Sequence, residues 1–173
     1  VGQSVGKCGI SLLKGALLRR ETVFGGAYEL SIDSKGRLAI PAKFRELLAR
    51  HYSPFLVGTL EKRSHLLLYP EAQWRMVESQ LLGLPVAGNK VLQAYQNLLL
   101  HNADTMELDG VGRILLPANL RRLVEFDKEV YVVGRSNRLE VWGRARWEEQ
   151  NNAALDMDED MLAAELGKTQ LQL

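Results

Sequence analysis

The stretch D-S-K-G-R-L-A-I-P-A-K-F-R-E-L-L, Asp33 to Leu48, returns as D-G-V-G-R-I-L-L-P-A-N-L-R-R-L-V, Asp109 to Val124. A constant offset of 76 pairs Asp33 with Asp109, Gly36 with Gly112, Arg37 with Arg113, Pro41 with Pro117 and Arg45 with Arg121. Each copy reads as a strand end, a tight turn, a short strand and a helix. Ser34 and Lys35 suit a turn, and Gly36 is free to take positive φ. Leu38-Ala39-Ile40 is an apolar run for a buried strand. Pro41 opens the helix, where a missing N–H costs nothing, and Phe44, Leu47 and Leu48 give that helix one apolar face.

The repeat extends downstream. Val57-Gly58 matches Val133-Gly134 at the same offset, after which Leu66, Tyr69 and Trp74 match Leu139, Trp142 and Trp147 at 73. This alignment places three extra residues in the first copy's hairpin, within Thr59–His65. Each copy spans roughly 45–50 residues, too few for a comfortable core of its own, so the two are expected to share one.

Between and around these motifs the chain punctuates clearly. Tyr28, Leu30 and Ile32 alternate as one face of a strand, and Phe55–Leu60 with His65–Tyr69 form a hairpin. Helices are expected over 70–82 and 89–100, separated by Gly83-Leu-Pro85. The second copy repeats the plan with a strand over 105–109, a helix over 117–124 and a hairpin from Lys128–Val133 and Arg138–Trp142. A helix from Arg144 to about Asn152 is followed, after a weak point, by another over 158–166. The division is an N-terminal extension over 1–22, a first repeat over 27–74, a helical linker over 75–102, a second repeat over 103–147, and an acidic C-terminal helix and tail over 148–173. The fold class is α+β.

Residues 1–22 differ from the rest. Ile10–Arg20 is apolar but too short for a membrane span, interrupted by Lys14, and without a small-residue cleavage site. It reads as a poorly ordered extension, or as sequence upstream of the native start, since a valine codon at Val23 can begin translation.

The 173 residues carry a net charge of +1 and a 46% apolar content, ordinary globular values. The charge is unevenly spread. Residues 144–173 hold three basic and seven acidic side chains, whereas Asp33–Arg50 holds five basic and two acidic ones. A local basic patch thus sits on a nearly neutral protein. The single cysteine, Cys8, excludes an intrachain disulfide and a cysteine-based zinc site. His51, His65 and His101 have no metal-binding spacing, and there is no nucleophile elbow or phosphate-binding loop. Asp156, Asp158 and Asp160 imitate a calcium loop, but Met161 and Gly167 stand where that loop needs glycine and glutamate. No catalytic site, metal or cofactor is expected.

What remains is the repeated basic turn. Arg37 and Arg113 each follow a glycine, and a guanidinium fork suits phosphate oxygens or a guanine edge. Lys35, Lys43 and Arg45 could add phosphate contacts. The plainer reading is that these are solvated charges on a turn whose aspartates bond its amides.

These paired motifs, with the Leu-Leu-Tyr-Pro-x-x-x-Trp and Val-Trp-x-x-x-x-Trp closures, closely resemble the MraZ family over about Val23 to Glu148. The resemblance implies two SpoVT-AbrB-like repeats whose swapped hairpins form a small pseudo-symmetric β-barrel flanked by helices. It further implies a cytoplasmic, nucleoid-associated repressor of its own operon in the division and cell-wall cluster, binding repeated promoter sites on duplex DNA as a ring of identical subunits. By position, the family's DNA-contacting turn falls on Lys35 and Arg37, with Arg113 as the second-copy match and Lys43 an additional candidate. Val111 departs from the pattern, replacing a basic residue. The alternatives are an AbrB-type antitoxin, for which the acidic C-terminal helix would serve a protein partner, and an enzyme, which the missing catalytic groups disfavour.

Overall fold

The computed structural model describes residues 23–169, so the expectations for the extension over 1–22 lie outside the described residues. Strands β1 (Phe24–Ser31) and β2 (Arg37–Ala39) lead to helix α1 (Ala42–His51), the hairpin β3 (Phe55–Glu61) and β4 (His65–Pro70), and helices α2 (Glu71–Leu82) and α3 (Lys90–His101). The second half follows as β5 (Asp104–Glu107), β6 (Arg113–Leu115), α4 (Ala118–Leu123), β7 (Glu129–Ser136), β8 (Arg138–Gly143), α5 (Arg144–Leu155) and α6 (Glu159–Leu166).

The two halves interleave. A six-stranded antiparallel sheet runs β1-β7-β8-β4-β3-β5, and β2 and β6 form a separate two-stranded ribbon. The opening strand of each repeat thus pairs with the hairpin of the other, β1 with β7 and β5 with β3. Exchanging the repeats reverses the strand order onto itself, which is a pseudo-two-fold axis. That axis passes between Leu38 and Ile114, directly opposed at the centre of the ribbon, and between Leu67 and Glu140, opposed at the centre of the sheet. The ladders run from β1 to β5 without closing, and a single bridge, Ile32 to Leu38, joins β1 to the ribbon.

One core serves both repeats, as the size of each alone requires. Leu38 and Ile114 from the ribbon, Phe44 and Leu120 from the helices, and Leu56, Leu66, Leu68, Val130, Val132, Leu139 and Val141 from the sheet are buried together. Phe44 meets the rings of Phe24 and Tyr28 edge to face at 5.7 and 5.2 Å, which seats α1 on β1. On the outer face of the sheet, Val57, Leu67 and Tyr69 pack beneath Trp74, Leu81 and Leu99 of α2 and α3. In the second half that face is covered differently. Trp147 of α5 stacks on Tyr131, and Glu140 is buried at the place of Leu67. Its carboxylate accepts from Arg138 Nη2 at 2.9 Å and Trp142 Nε1 at 3.1 Å, which satisfies a charge that burial would otherwise penalise.

The backbone corrects the alignment of the hairpins. Leu56 pairs with Pro70 and Met106, and its structural counterpart is Val130, which pairs with Gly143 and Leu30. Two of the first repeat's three extra residues therefore precede β3, where α1 runs to His51 while α4 stops at Leu123. The third lies in the turn, where Glu61 and His65 close three residues but Arg135 and Arg138 only two. The match of Val57-Gly58 to Val133-Gly134 is out of step by two positions. A slip of two keeps every side chain on its own face, so the apolar alternation does not register it. The break before α6 is a true helix end: Asp158 caps the new helix by accepting from the Met161 amide at 2.8 Å, with Glu159 and Asp160 in its first turn.

Candidate nucleic-acid interface

Each Gly-Arg turn is built by its aspartate. Asp33 Oδ1 accepts from the amides of Lys35 and Arg37, both at 2.9 Å, and Oδ2 accepts from Arg37 Nε at 2.7 Å. Asp109 does the same for Val111 at 3.0 Å, for the Arg113 amide at 2.9 Å and for Arg113 Nε at 2.9 Å. In both turns the glycine amide returns to the aspartate carbonyl at 2.9 Å, and Gly36 and Gly112 adopt φ of +83° and +81°. These bonds, foremost those from the backbone amides of Arg37 and Arg113, hold both carboxyls below the usual carboxylate range. The guanidinium is oriented by the same carboxylate, which takes Nε of Arg37 in the first turn and both Nε and Nη2 of Arg113 in the second.

The ribbon sets the two turns side by side. Leu38 and Ile114 point inward and are buried, so alternation turns Arg37, Ala39, Arg113 and Leu115 outward. Arg37 is opposite Leu115 and Arg113 is opposite Ala39. The turns also clasp each other through backbone: Ile40 N donates to Gly112 O and Leu116 N to Gly36 O, each at 3.0 Å. Two arginines thereby share one outward face with a small apolar strip between them.

Of the four candidate residues, Arg37 and Arg113 come together on this face, and Lys35 stands exposed in the first turn. Lys43 is engaged elsewhere, its Nζ donating to Gly25 O at 3.0 Å at the start of β1. Sequence reasoning missed Ala39 and Leu115, the latter 58% exposed, whose outward aim follows from the strand period once Leu38 and Ile114 are known to point inward. It also missed the placement of Arg121, which belongs to the second repeat but lies over Gly36 of the first.

An open groove of about 710 Å³ flanks the first turn, lined by residues that include Asp33, Arg121, Asp127 and Lys128. Its charges are mixed in sign and spread along its walls. Among the described residues no group of three histidine, cysteine, aspartate or glutamate side chains could hold a metal ion. No described helix is long and apolar enough to cross a membrane.

The chain matches the family model described as "MraZ protein, putative antitoxin-like" over residues 23–88 and 99–166. A protein of Neisseria meningitidis serogroup C named transcriptional regulator MraZ is 61% identical over 151 residues, covering 87% of this chain and 100% of the relative. A protein of the same name from Chromobacterium violaceum is 52% identical over 84% of this chain and 97% of its own length. The protein of that name from Thiobacillus denitrificans is 37% identical over 83% of this chain and 97% of its own. Each matched segment contains the four strands of one repeat, and the chain belongs to the MraZ family, whose relatives from these three organisms are named transcriptional regulators.

Proposed function

We propose that this chain is a sequence-specific DNA-binding transcriptional regulator that represses its own operon in the division and cell-wall gene cluster. It acts in the cytoplasm, at the nucleoid, as a ring of identical subunits on repeated promoter sites. The observation that carries this reading is the pair of aspartate-locked Gly-Arg turns on one outward ribbon. Locking a guanidinium before the ligand arrives reduces the ordering cost of binding, and a fork of donors can grip phosphate or a guanine edge. Lys35, Arg37 and Arg113 make the contacts, and Lys43 joins them when its ammonium releases the Gly25 carbonyl. In this reading the ribbon and sheet work as one small barrel around the shared core. Residues 27–74 and 103–147 serve as the two repeats, 75–102 as the helical linker and 148–173 as an acidic appendage.

A single chain offers few cations, and a ring supplies the rest by presenting many ribbons to consecutive sites, which raises the effective concentration of each later contact. Arg37→Ala is expected to weaken binding to the chain's own promoter by about 1–3 kcal/mol if it reads a base edge. Its melting temperature should barely move, because an exposed ion pair is worth about 0–1 kcal/mol. Undiminished affinity in a gel-shift titration would sink the reading. An antitoxin-like role has one observation in its favour: Leu155, Met161 and Leu162 of the C-terminal helices, and Met157 between them, are exposed. Loss of a protein partner, with promoter binding intact, on replacing Met161 and Leu162 by serine would support it.

A further inference from the structure

Charge at the two turns is nearly cancelled from within. Arg37 is paired with Asp33 and Arg113 with Asp109, at 2.7 and 2.8 Å. The first turn keeps the net charge of Lys35, but the second has Val111 there and is neutral. A phosphate approaching the second turn would meet almost no field from the turn itself.

The missing charge comes from across the pseudo-two-fold axis. Arg45, on α1 of the first repeat, lies over Gly112 of the second: a Cβ built on that glycine would overlap the Arg45 side chain, with Nη1 2.6 Å and Nε 2.9 Å away. Arg121, on α4 of the second repeat, covers Gly36 of the first in the same way, with Nη2 at 2.7 Å and Cζ at 2.8 Å. Each glycine is needed for its positive φ, and the space above it is taken by the other repeat's arginine. Neither arginine has a carboxylate partner among the described residues. Arg45 Nη1 donates to Val111 O at 3.4 Å, and Arg121 Nε donates to Leu116 O at 3.1 Å. These contacts lay the guanidiniums along the turns and leave their charges without a carboxylate. Arg45 is exposed at the position where the second turn lacks a lysine.

We infer that Arg45 and Arg121 are DNA-phosphate contacts, each completing the turn of the opposite repeat. This inference rests on the proposed DNA-binding reading. Arg45 stands in for the absent lysine at Val111, and Arg121 joins Lys35 at the first turn. Neither repeat then carries a complete binding unit, since each turn takes its second cation from the other repeat. The contact is to phosphate and sequence-independent: each arginine comes from a helix beside the turn and not from the ribbon's outward face, and it adds charge next to the ribbon's own arginine.

The test uses the full chain and a fluorescent duplex from upstream of its own gene, with a shuffled duplex of equal composition alongside. Affinity is titrated across a salt series for the wild type and for Arg37→Ala, Arg45→Gln, Arg45→Lys and Arg121→Gln. Arg45→Gln should weaken both duplexes by the same factor and lower the slope of log affinity against log salt by about 0.9 for each phosphate no longer neutralised. Arg45→Lys should keep the slope, and Val111→Lys should restore it in the Arg45→Gln chain. A purely structural role would lower the melting temperature and leave the slope unchanged. An unaltered slope in Arg45→Gln and Arg121→Gln, with Arg37→Ala impaired, overturns this inference and spares the DNA-binding reading. A wild-type chain that binds neither duplex overturns both.

Discussion

At the scale of the residue, His65 and Glu140 show how burial decides protonation. His65 stacks on Trp142 with ring centroids 3.8 Å apart, and its Nδ1 lies 2.8 Å from Ser64 Oγ. Burial lowers its pKa from 6.5 to about 4, with Arg138 and Arg135 acting in the same direction. Glu140, 3.8 Å away, pulls the other way, but it is already engaged by Arg138 and Trp142. His65 is thus neutral in the fold at neutral pH. A group whose folded pKa is depressed contributes stability above its unfolded pKa and loses it as pH falls toward the folded one. Stability to urea is expected to decline as pH drops from about 6.5 toward about 4. His65→Phe keeps the ring stack and should flatten that interval; an unchanged pH profile would contradict the assignment. Asp33 and Asp109 act further down, stabilising their turns above the ordinary carboxylate range and releasing them only below it.

At the scale of the element, one residue step separates the ribbon's packed face from its proposed binding face. Leu38 is fully buried on the axis, while Leu115, in the facing strand, is 58% exposed. Leu38→Ala should cost about 2–5 kcal/mol, because the cavity lies where both repeats meet and neither can collapse into it alone. Leu115→Glu should leave stability within roughly 0.5 kcal/mol. It should nonetheless weaken duplex binding, by placing a negative charge between Arg37 and Arg113. Thermal melts and duplex titrations on the two variants check both halves of the contrast, and a stable Leu38→Ala chain would refute the packing half. The helices follow the same division of labour. Phe44 and Leu120 face the core, while Arg45 and Arg121, one residue on from each, reach across to the opposite turn.

At the scale of the whole molecule, the interleaved sheet makes the repeats interdependent. Residues 23–88 alone would leave β1 without β7 and β3 without β5, exposing both edges and half of the core. The separated half is expected to be unfolded as a monomer by circular dichroism, and to gain structure only on pairing with residues 89–169 or with itself. A cooperatively melting monomeric half in sedimentation would disprove this dependence.

The repeat, its α+β content and most elements were legible in the chain, because the turn residues, the helix-opening prolines and the apolar periods are local signals. The helices at 71–82 and 90–101 and the strands around each turn stand where those signals put them. The arginines of the turns were legible too, as donors beside a glycine. What local signals cannot carry is which segment lies opposite which. Only the tertiary structure decided that β1 crosses to β7, that the hairpins are offset by two residues, and that Glu140 is buried where its counterpart is leucine. It alone showed what lies over the turn glycines: the space above Gly36 and Gly112 is taken by arginines about 85 and 67 residues away in the chain. Sequence by itself determined the parts and their repetition, since propensity and periodicity act within a few residues. The exchange between repeats was settled by a shared core that neither half is large enough to form alone.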